Sequence, residues 1–258
     1  MSEWYVKQNP SGGLYHDGKW SHTDIPYTVL KRDKRIRSSG CGQCSTSMGI
    51  SHSLGKFVHP SNFKGKYIYN NGSSRDIGLY YAKKYGVNAV ATNDIKKVII
   101  RLAQGCYVMS IQGKGLFTNG GHYIILCGLK NGRIKVLDPA SKNRTYIFSG
   151  KTYTASQIDK TCKKAKGTIN GLTYMGYTVF FPKIKMPTAT VKQGSEGENV
   201  KRVQLILAFC DMYDGLIDGK YGHMTEEGIK KFNKKYLNLD DDTAFGSKCR
   251  EKAKELCL

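Results

Sequence analysis

Residues 38–45 read Ser-Ser-Gly-Cys-Gly-Gln-Cys-Ser and lead into a predicted helix over residues 42–54. A cysteine at the start of a helix lies at the positive end of the helix dipole, beside backbone N–H groups that have no partner inside the helix. Both features stabilise a thiolate, the form of cysteine that attacks a carbonyl carbon. Gly40 and Gly42 leave room for a substrate backbone, and the same N–H groups could receive an oxyanion. Cys41 is therefore the candidate nucleophile.

A thiolate nucleophile requires a base, and the base requires a group that orients it. His122 follows a Gly-Gly pair and begins a predicted strand over residues 122–129, while Asp138 ends a predicted strand over residues 133–138. Each residue alone has an ordinary structural explanation. The Asn131-Gly132 pair between the strands is a strong hairpin signal. If that turn joins them directly, position 123 lies opposite roughly position 140, and His122 and Asp138 meet at one sheet end.

The order of predicted elements indicates an α+β fold for the first domain. Apart from the helix over residues 42–54, helices are predicted over residues 74–85, 94–104 and near 154–165. Strands are predicted over residues 106–111, 122–129, 133–138 and 174–181. Runs of helices followed by runs of strands are typical of α+β proteins with an antiparallel sheet. The stretch directly before Gly40, residues 35–39, is basic and is not predicted as an apolar strand.

The charge distribution predicts two domains. The chain carries a net charge of +21, but residues from 191 onward hold 12 basic and 12 acidic side chains, so the excess lies before them. We predict a catalytic domain over residues 1–184, a proline-containing linker over 185–192 and an all-α three-helix domain over 193–258. The basic domain should be attracted to a polyanion, and salt should weaken that attraction.

The first domain resembles papain-like cysteine peptidases related to bacteriocin-leader-processing proteases. The motifs that carry the resemblance are Gly40-Cys41-Gly42, Ser45, Met48, His59-Pro60, Phe117-Thr118, Gly121-His122-Tyr123-Ile124 and Leu137-Asp138-Pro139. It implies a papain-like fold and a catalytic triad of Cys41, His122 and Asp138. Relatives also carry an oxyanion-hole glutamine upstream of the cysteine. Arg35 stands near the usual spacing here, so Gln8 is the candidate for that role through a longer insertion.

The last domain is similar to the short peptidoglycan-binding module of many cell-wall hydrolases. The matching stretches are residues 194–204, Asp218-Gly219-Lys220-Tyr221-Gly222 with Thr225, and Ile229 with Phe232-Asn233. The resemblance implies ligand contacts near Tyr221, His223 and Thr225. Cys249 departs from it, since the module usually has Thr there. The 218–222 segment is echoed by Asp-Thr-Ala-Phe-Gly at 242–246, which two similar turns explain without a ligand.

Two other thiol chemistries are alternatives to the triad. Cys41 and Cys44 fit a redox C-x-x-C motif, but that motif follows an apolar strand in a βαβ unit, and residues 35–39 are not such a strand. Zinc would need two further ligands, and the sequence offers no second C-x-x-C pair or matching histidine pair. We therefore expect no metal and no cofactor, and a buried Cys44 one turn behind the nucleophile.

These features favour an endolysin-like enzyme that cuts peptide bonds of bacterial peptidoglycan. Two alternatives stay open: an N-acetylmuramoyl-L-alanine amidase with the same triad, and a cysteine peptidase that processes leader peptides or other proteins. The expected partners are peptidoglycan and anionic wall polymers. We expect no binding to nucleic acid, because its recognition motifs are missing, and no membrane partner. Residues 1–7 show no signal sequence, so we expect cytoplasmic synthesis and release to the wall through a holin.

Overall fold

The chain forms two compact units in a computed structural model, residues 1–182 and residues 183–258. The structure describes residues 5–6, 14–16, 19–21, 26–29, 32–35, 40–63, 67–69, 72–140, 151–165, 168–169, 172–173 and 176–257. The segment predicted as a linker, 185–192, belongs to the second unit. Val191 is buried there and exchanges two backbone hydrogen bonds with Phe245, at 3.3 and 2.8 Å. Burial of these apolar side chains explains why a proline-containing stretch is part of the unit.

The described part of the first unit contains four α-helices and fifteen strands. The helices are α1 (Cys41–Leu54), α2 (Ile77–Lys84), α3 (Ile95–Ala103) and α4 (Ala155–Cys162). The first seven strands are β1 (Tyr5–Val6), β2 (Leu14–His16), β3 (Lys19–Ser21), β4 (Pro26–Val29), β5 (Arg32–Arg35), β6 (Ile68–Tyr69) and β7 (Gly72–Ser73). The others are β8 (Ala89–Thr92), β9 (Tyr107–Gln112), β10 (His122–Lys130), β11 (Arg133–Leu137), β12 (Thr152–Tyr153), β13 (Thr168–Ile169), β14 (Leu172–Thr173) and β15 (Tyr177–Phe180). The predicted α+β class with an antiparallel sheet is confirmed.

A six-stranded sheet forms the centre of the first unit, in the order β12-β11-β10-β9-β15-β8. Every pairing in this sheet is antiparallel. His122 pairs with Gln112, Ser110 pairs with Tyr177, and Tyr177 pairs with Thr92. Directly paired residues, and residues two apart on one strand, point to the same face of a sheet. These five side chains therefore share one face at one end of the sheet.

Helix α1 is buried on nearly all sides, and its sequence is suited to this position. Its residues are mostly Gly, Ser, Thr and Cys, whose small side chains let neighbouring elements approach closely. The helix packs against β9, β10 and β15. Gly49 lies directly under the ring of Phe180, because a Cβ added there would come within 2.4 Å of Phe180 Cδ2. This contact brings α1, which begins with Cys41, against the sheet.

Replacing Gly49 by alanine is expected to destabilise the first unit. The added methyl group would overlap the buried ring of Phe180, and overpacking of this kind costs about 1–3 kcal/mol. Chemical denaturation followed by circular dichroism would measure the change. Gly120→Ala is the matched control, since a Cβ at Gly120 meets no atom within 4 Å. Equal midpoints for the two variants would contradict the close packing of α1 on β15.

A β-bulge interrupts the pairing of β10 with β11. Lys130 pairs with Arg133 and Gly128 with Lys135, but Leu126 pairs with Val136, so Cys127 has no counterpart on β11. Gly128 has φ of 146°, a conformation that glycine adopts readily. The bulge corrects the predicted register, because position 123 now falls opposite position 139. A shift of the pairing register by one residue moves each side chain of a strand to the other face of the sheet. The bulge therefore places Asp138 on the same face as His122.

The strands before residue 40 were missed by the sequence prediction. Strands β1, β2 and β3 form a small antiparallel sheet, and β4 and β5 form a hairpin in which Val29 pairs with Arg32. Hairpin pairing can form strands from short charged stretches that carry little periodicity. Strand β5 ends at Arg35, and residues 36–39, the rest of the stretch that is not predicted as an apolar strand, lie outside the described residues. The pairing is antiparallel to β4, so β5 is not the first strand of a βαβ redox unit.

The second unit contains three helices, α5 (Glu198–Phe209), α6 (His223–Leu237) and α7 (Ser247–Cys257). Two buried amides hold its two similar turns. Gln204 Nε2 donates to Asp218 Oδ1, Lys220 O and Thr225 Oγ1, while Asn233 Nδ2 donates to Asp242 O and Ala244 O. Cys249 Sγ donates to Asn233 Oδ1 at 3.1 Å. Cys249 thus contacts the buried amide of the second turn, as Thr225 contacts the buried amide of the first. The repeat of the two turn sequences therefore has a structural explanation.

No helix in the described ranges is both long enough and apolar enough to cross a membrane.

Candidate active site

Cys41 is the first residue of α1 and lies at the edge of the apolar core. Gly40 precedes it and has no side chain that could cap the helix. The first bond of the helix runs from Cys44 N to Gly40 O, at 2.9 Å, so the N–H groups of residues 41–43 stand outside the helical ladder. The sulfur therefore lies beside backbone donors at the positive end of the helix.

His122 and Asp138 form a direct pair at the end of the sheet. The distance from His122 Nε2 to Asp138 Oδ1 is 2.7 Å, and both side chains are largely buried. Asp138 Oδ1 also accepts a hydrogen bond from Ala140 N at 2.9 Å, which fixes the carboxylate. The sequence-based expectation that these two residues lie close together agrees with the structure.

Cys41 and Asp138 both act on the pKa of His122, so the imidazole lies close to the thiol as well as to the carboxylate. Because Nε2 is bound to Asp138, Nδ1 is the nitrogen left for the sulfur. Burial alone would lower the pKa of His122, but hydrogen bonds and electrostatic interactions with Asp138 and Cys41 raise it to about 10. A protonated imidazole beside sulfur can stabilise a thiolate and can later give its proton to a leaving amine.

Cys44 is not suited to thiolate chemistry. It is completely buried one turn along α1. Burial, together with the nearby Cys41, raises the pKa of the Cys44 thiol well above its usual value. Both cysteines are free thiols. These observations support the expectation that Cys44 packs behind Cys41 and weigh against the redox alternative.

The oxyanion-hole candidate, Gln8, lies outside the described residues. Arg35 is described only as the last residue of strand β5. The backbone N–H groups at the start of α1 are therefore the donors that the structure places beside Cys41. Gln43, the nearest glutamine along α1, is buried and its Nε2 donates to Phe63 O at 2.8 Å.

The three predicted ligand residues of the second unit differ in accessibility. His223 is exposed at the start of α6. Tyr221 is partly buried, and its hydroxyl donates to Thr243 O at 2.5 Å. Thr225 is fully buried, and its hydroxyl interacts with Gln204 and Lys220 O. The first two side chains can meet a ligand, whereas the position of Thr225 indicates that it stabilises the turn.

The described ranges contain His, Cys, Asp and Glu side chains, the types that bind metal ions. No three His, Cys, Asp or Glu side chains there come together in a way that could hold a metal ion. His52 is stacked on Tyr107 with ring centroids 3.7 Å apart, and its Nε2 contacts Gly105 O at 2.7 Å. Burial lowers the pKa of His52, which is consistent with a neutral ring in the core.

Sequence reasoning missed two polar residues close to the site. A Cβ added at Gly42 would lie 2.6 Å from Ser73 Oγ, so Ser73 packs against the helix start that carries Cys41. Arg75, two residues on, is buried, and the acidic residue next to it in sequence, Asp76, gives no sign of that burial. Both positions fall at the predicted start of the helix over residues 74–85, where polar residues are expected for capping. No sequence pattern distinguishes a buried polar residue from a capping one here.

Comparison with known proteins gives only distant similarities. No protein-family model matches the sequence, and no curated protein matches it either. Among solved structures, the chain is similar to a protein described as a C39-like peptidase from Bacillus anthracis. The identity is 14%, the TM-score is 0.41, and the match covers 57% of this chain and 90% of that one.

Two further solved structures show similarities of the same order. The peptidase domain of Streptococcus ComA, a bifunctional ABC transporter of a quorum-sensing pathway, is 15% identical with a TM-score of 0.37, over 60% of this chain and 97% of that one. A periplasmic domain of the EpsAB fusion protein of the Vibrio vulnificus type II secretion system is 12% identical with a TM-score of 0.33, over 85% and 81%. At such TM-scores, function has to be inferred from the site itself.

Proposed function

We propose that this chain is a cysteine peptidase that cuts peptide bonds of bacterial peptidoglycan. The observation that carries the proposal is the position of His122, which bonds Asp138 at 2.7 Å and lies close enough to Cys41, at the start of α1, for the thiol to affect its pKa. A nucleophile, a base and an orienting acid in hydrogen-bond contact are the components of thiol hydrolysis.

In the first half of the reaction, the Cys41 thiolate attacks the carbonyl carbon of the substrate. A carbon–sulfur bond forms, and the carbonyl oxygen becomes an oxyanion beside the free N–H groups at the start of α1. The imidazolium of His122 then gives a proton to the leaving nitrogen, and the carbon–nitrogen bond breaks. The product is an amine, and the acyl group remains on sulfur as a thioester.

In the second half, neutral His122 takes a proton from water, and the hydroxide so formed attacks the thioester carbon. The carbon–sulfur bond breaks, which releases a carboxylic acid and restores the thiolate–imidazolium pair. Asp138 holds the imidazole in position throughout. Water is the only co-reactant, and no oxidant, metal or cofactor takes part.

Two features of the chain favour a cell-wall substrate. The second unit resembles a peptidoglycan-binding module in sequence, and His223 and Tyr221 have side chains that can meet a ligand. The net charge of +21 comes from residues before 191 and would concentrate the catalytic unit on anionic wall polymers. Release from the cytoplasm through a holin would bring the enzyme to this substrate.

Product analysis on purified Gram-positive cell walls tests the proposal. The protein is expected to clear a wall suspension and to release fragments with new amino-acid termini, which mass spectrometry would identify. An amidase would instead leave sugars that carry lactyl ends without peptide. The two products distinguish an endopeptidase from an amidase. The same three residues could also catalyse the amidase reaction.

A panel of wall chemistries is needed as the control, because a single cross-bridge could be resistant to cleavage. Failure to clear any wall of the panel would contradict a wall hydrolase. Cleavage of an extended leader peptide by the same preparation would then point to the processing-peptidase alternative.

A further inference from the structure

A cavity of about 330 Å³ lies in the first unit, apart from the Cys41–His122–Asp138 cluster. Its size is within the usual range for small-molecule and peptide subsites. It is bounded by the C-terminal part of α4, the start of β15 and the segments before α2 and α3. The polar side chains that line it are Arg75, Asn93, Asp159, Cys162, Lys163 and Tyr177.

Arg75 is the unusual member of this lining. Only 6% of its surface is exposed, and its Nη2 atom has no hydrogen-bond partner. An arginine stays charged in proteins, and a buried charge without a partner is strongly unfavourable. Buried guanidinium groups are therefore normally paired, whereas Arg75, which lines the cavity, leaves Nη2 without a partner.

The other charges of the lining do not compensate Arg75. Asp159 is bound by Lys163 Nζ at 2.6 Å and accepts a hydrogen bond from Tyr177 Oη at 3.2 Å. Burial raises the pKa of both the Cys162 thiol and the Tyr177 hydroxyl, so these two groups are neutral near pH 7. The cavity thus has one positive charge in excess, and it favours an anion over a cation.

Two sets of contacts connect the cavity to the candidate active site. Ser73, two residues before Arg75, packs against Gly42, and its carbonyl oxygen accepts a hydrogen bond from Tyr123 Oη at 3.0 Å. Tyr123, the residue after His122, is also near enough to Arg75 to act on its pKa. On the sheet, Tyr177 of the cavity and His122 share a face and an end. A substrate bound at Cys41 would therefore have the cavity close to it.

We propose that this cavity is a carboxylate-binding subsite, in which the guanidinium of Arg75 binds a carboxylate group of the peptide substrate. The inference rests on the proposed function, since stem peptides of peptidoglycan contain acidic residues and free carboxylate ends. Arginine suits this role because its planar group can bind both oxygens of a carboxylate at once. Asn93 lies at the cavity and can donate a further hydrogen bond.

Calorimetric titration of the full-length Cys41→Ala chain tests the subsite without cleavage of the probe. The probe is the stem peptide L-Ala-γ-D-Glu-L-Lys-D-Ala, compared with two forms in which one carboxylate, of the glutamate or of the C-terminus, is a carboxamide. One of the two changes is expected to weaken binding by about tenfold or more, because a charge-assisted hydrogen bond is lost. In Arg75→Gln, the carboxylate and carboxamide forms should bind equally.

Lys164→Gln is the matched control for the overall charge. Lys164 is exposed beside the cavity but does not line it, so its removal lowers the net charge without changing the subsite. Equal losses in Arg75→Gln and Lys164→Gln would overturn the proposal, as would equal binding of all three peptides or binding of none. Discrimination that depends on Arg75 in a protein that cleaves no wall would keep the subsite and reject the wall substrate. Wall cleavage by a protein that binds the carboxylate and carboxamide peptides equally would keep the wall substrate and reject the subsite.

Thermal unfolding gives an independent test. The proposed binding role and a structural role of Arg75 predict opposite changes in the melting temperature when Arg75 is replaced. If the charge of Arg75 is uncompensated in the free protein, Arg75→Met should melt at or above the temperature of the wild type. A melting temperature several degrees lower would show that Arg75 supports the fold, and it would overturn the assignment.

Discussion

Replacement of Cys41 by alanine is expected to abolish cleavage of cell walls while binding to them persists. The variant lacks the sulfur that forms the thioester, and removal of one member of a catalytic triad lowers kcat by about 10⁴-fold or more. Clearing of a wall suspension measures the loss, and co-sedimentation with intact walls measures binding. The second unit does not contain Cys41, so the bound fraction should be unchanged.

Cys44→Ala is the matched control for this experiment. Cys44 is buried behind the nucleophile, so its loss should leave kcat within about threefold, at a stability cost of roughly 1 kcal/mol. Redox chemistry by the C-x-x-C pair would instead require both thiols. Full activity in Cys41→Ala, or equal inactivation of the two variants, would reject Cys41 as the nucleophile.

Replacement of Asp138 by asparagine is expected to reduce kcat by about 10²–10⁴-fold and to change its pH dependence. In the wild type, the interactions with Asp138 and Cys41 raise the pKa of His122 to about 10. The imidazolium therefore persists from its usual titration range up to that pH, and activity falls as pH rises through about 10. Without the carboxylate, the pKa of His122 falls, so the alkaline limit of kcat/KM should move to lower pH.

A pH–rate profile of the two proteins on a soluble peptide substrate checks this prediction. Asp94→Asn is a suitable control, because Asp94 caps α3 through Lys96 N and asparagine caps helices equally well. Its profile should match that of the wild type. An unchanged alkaline limit in Asp138→Asn would show that Asp138 does not hold the protonated form of His122.

The parts of the fold that follow local rules could be predicted from the sequence. The helix over residues 42–54, the strands on either side of Asn131-Gly132 and the closeness of His122 to Asp138 all follow from turn chemistry and periodicity. The structure begins α1 at Cys41 and ends β11 at Leu137, one residue from the predicted limits. These elements carry their signals within a few residues.

The parts that depend on distant contacts could not be predicted. The unpaired Nη2 of Arg75 results from packing between segments far apart in sequence, and no local pattern reports it. The hairpin of β4 and β5 forms from charged residues that show no alternation. The bulge at Cys127 was also missed, since the sequence around it is a continuous apolar strand and Gly128 alone does not reveal an extra residue.

That bulge limits which insertions and deletions this hairpin can tolerate. With Cys127 unmatched, Asp138 and His122 lie on one face, so loss of a single residue between positions 122 and 130 would turn the carboxylate to the opposite face of the sheet. Loss of two residues would restore the alternation. Insertions or deletions of an odd number of residues are therefore expected to be harmless only in the turn at residues 131–132. The number of residues in each strand constrains this site as strictly as their identity.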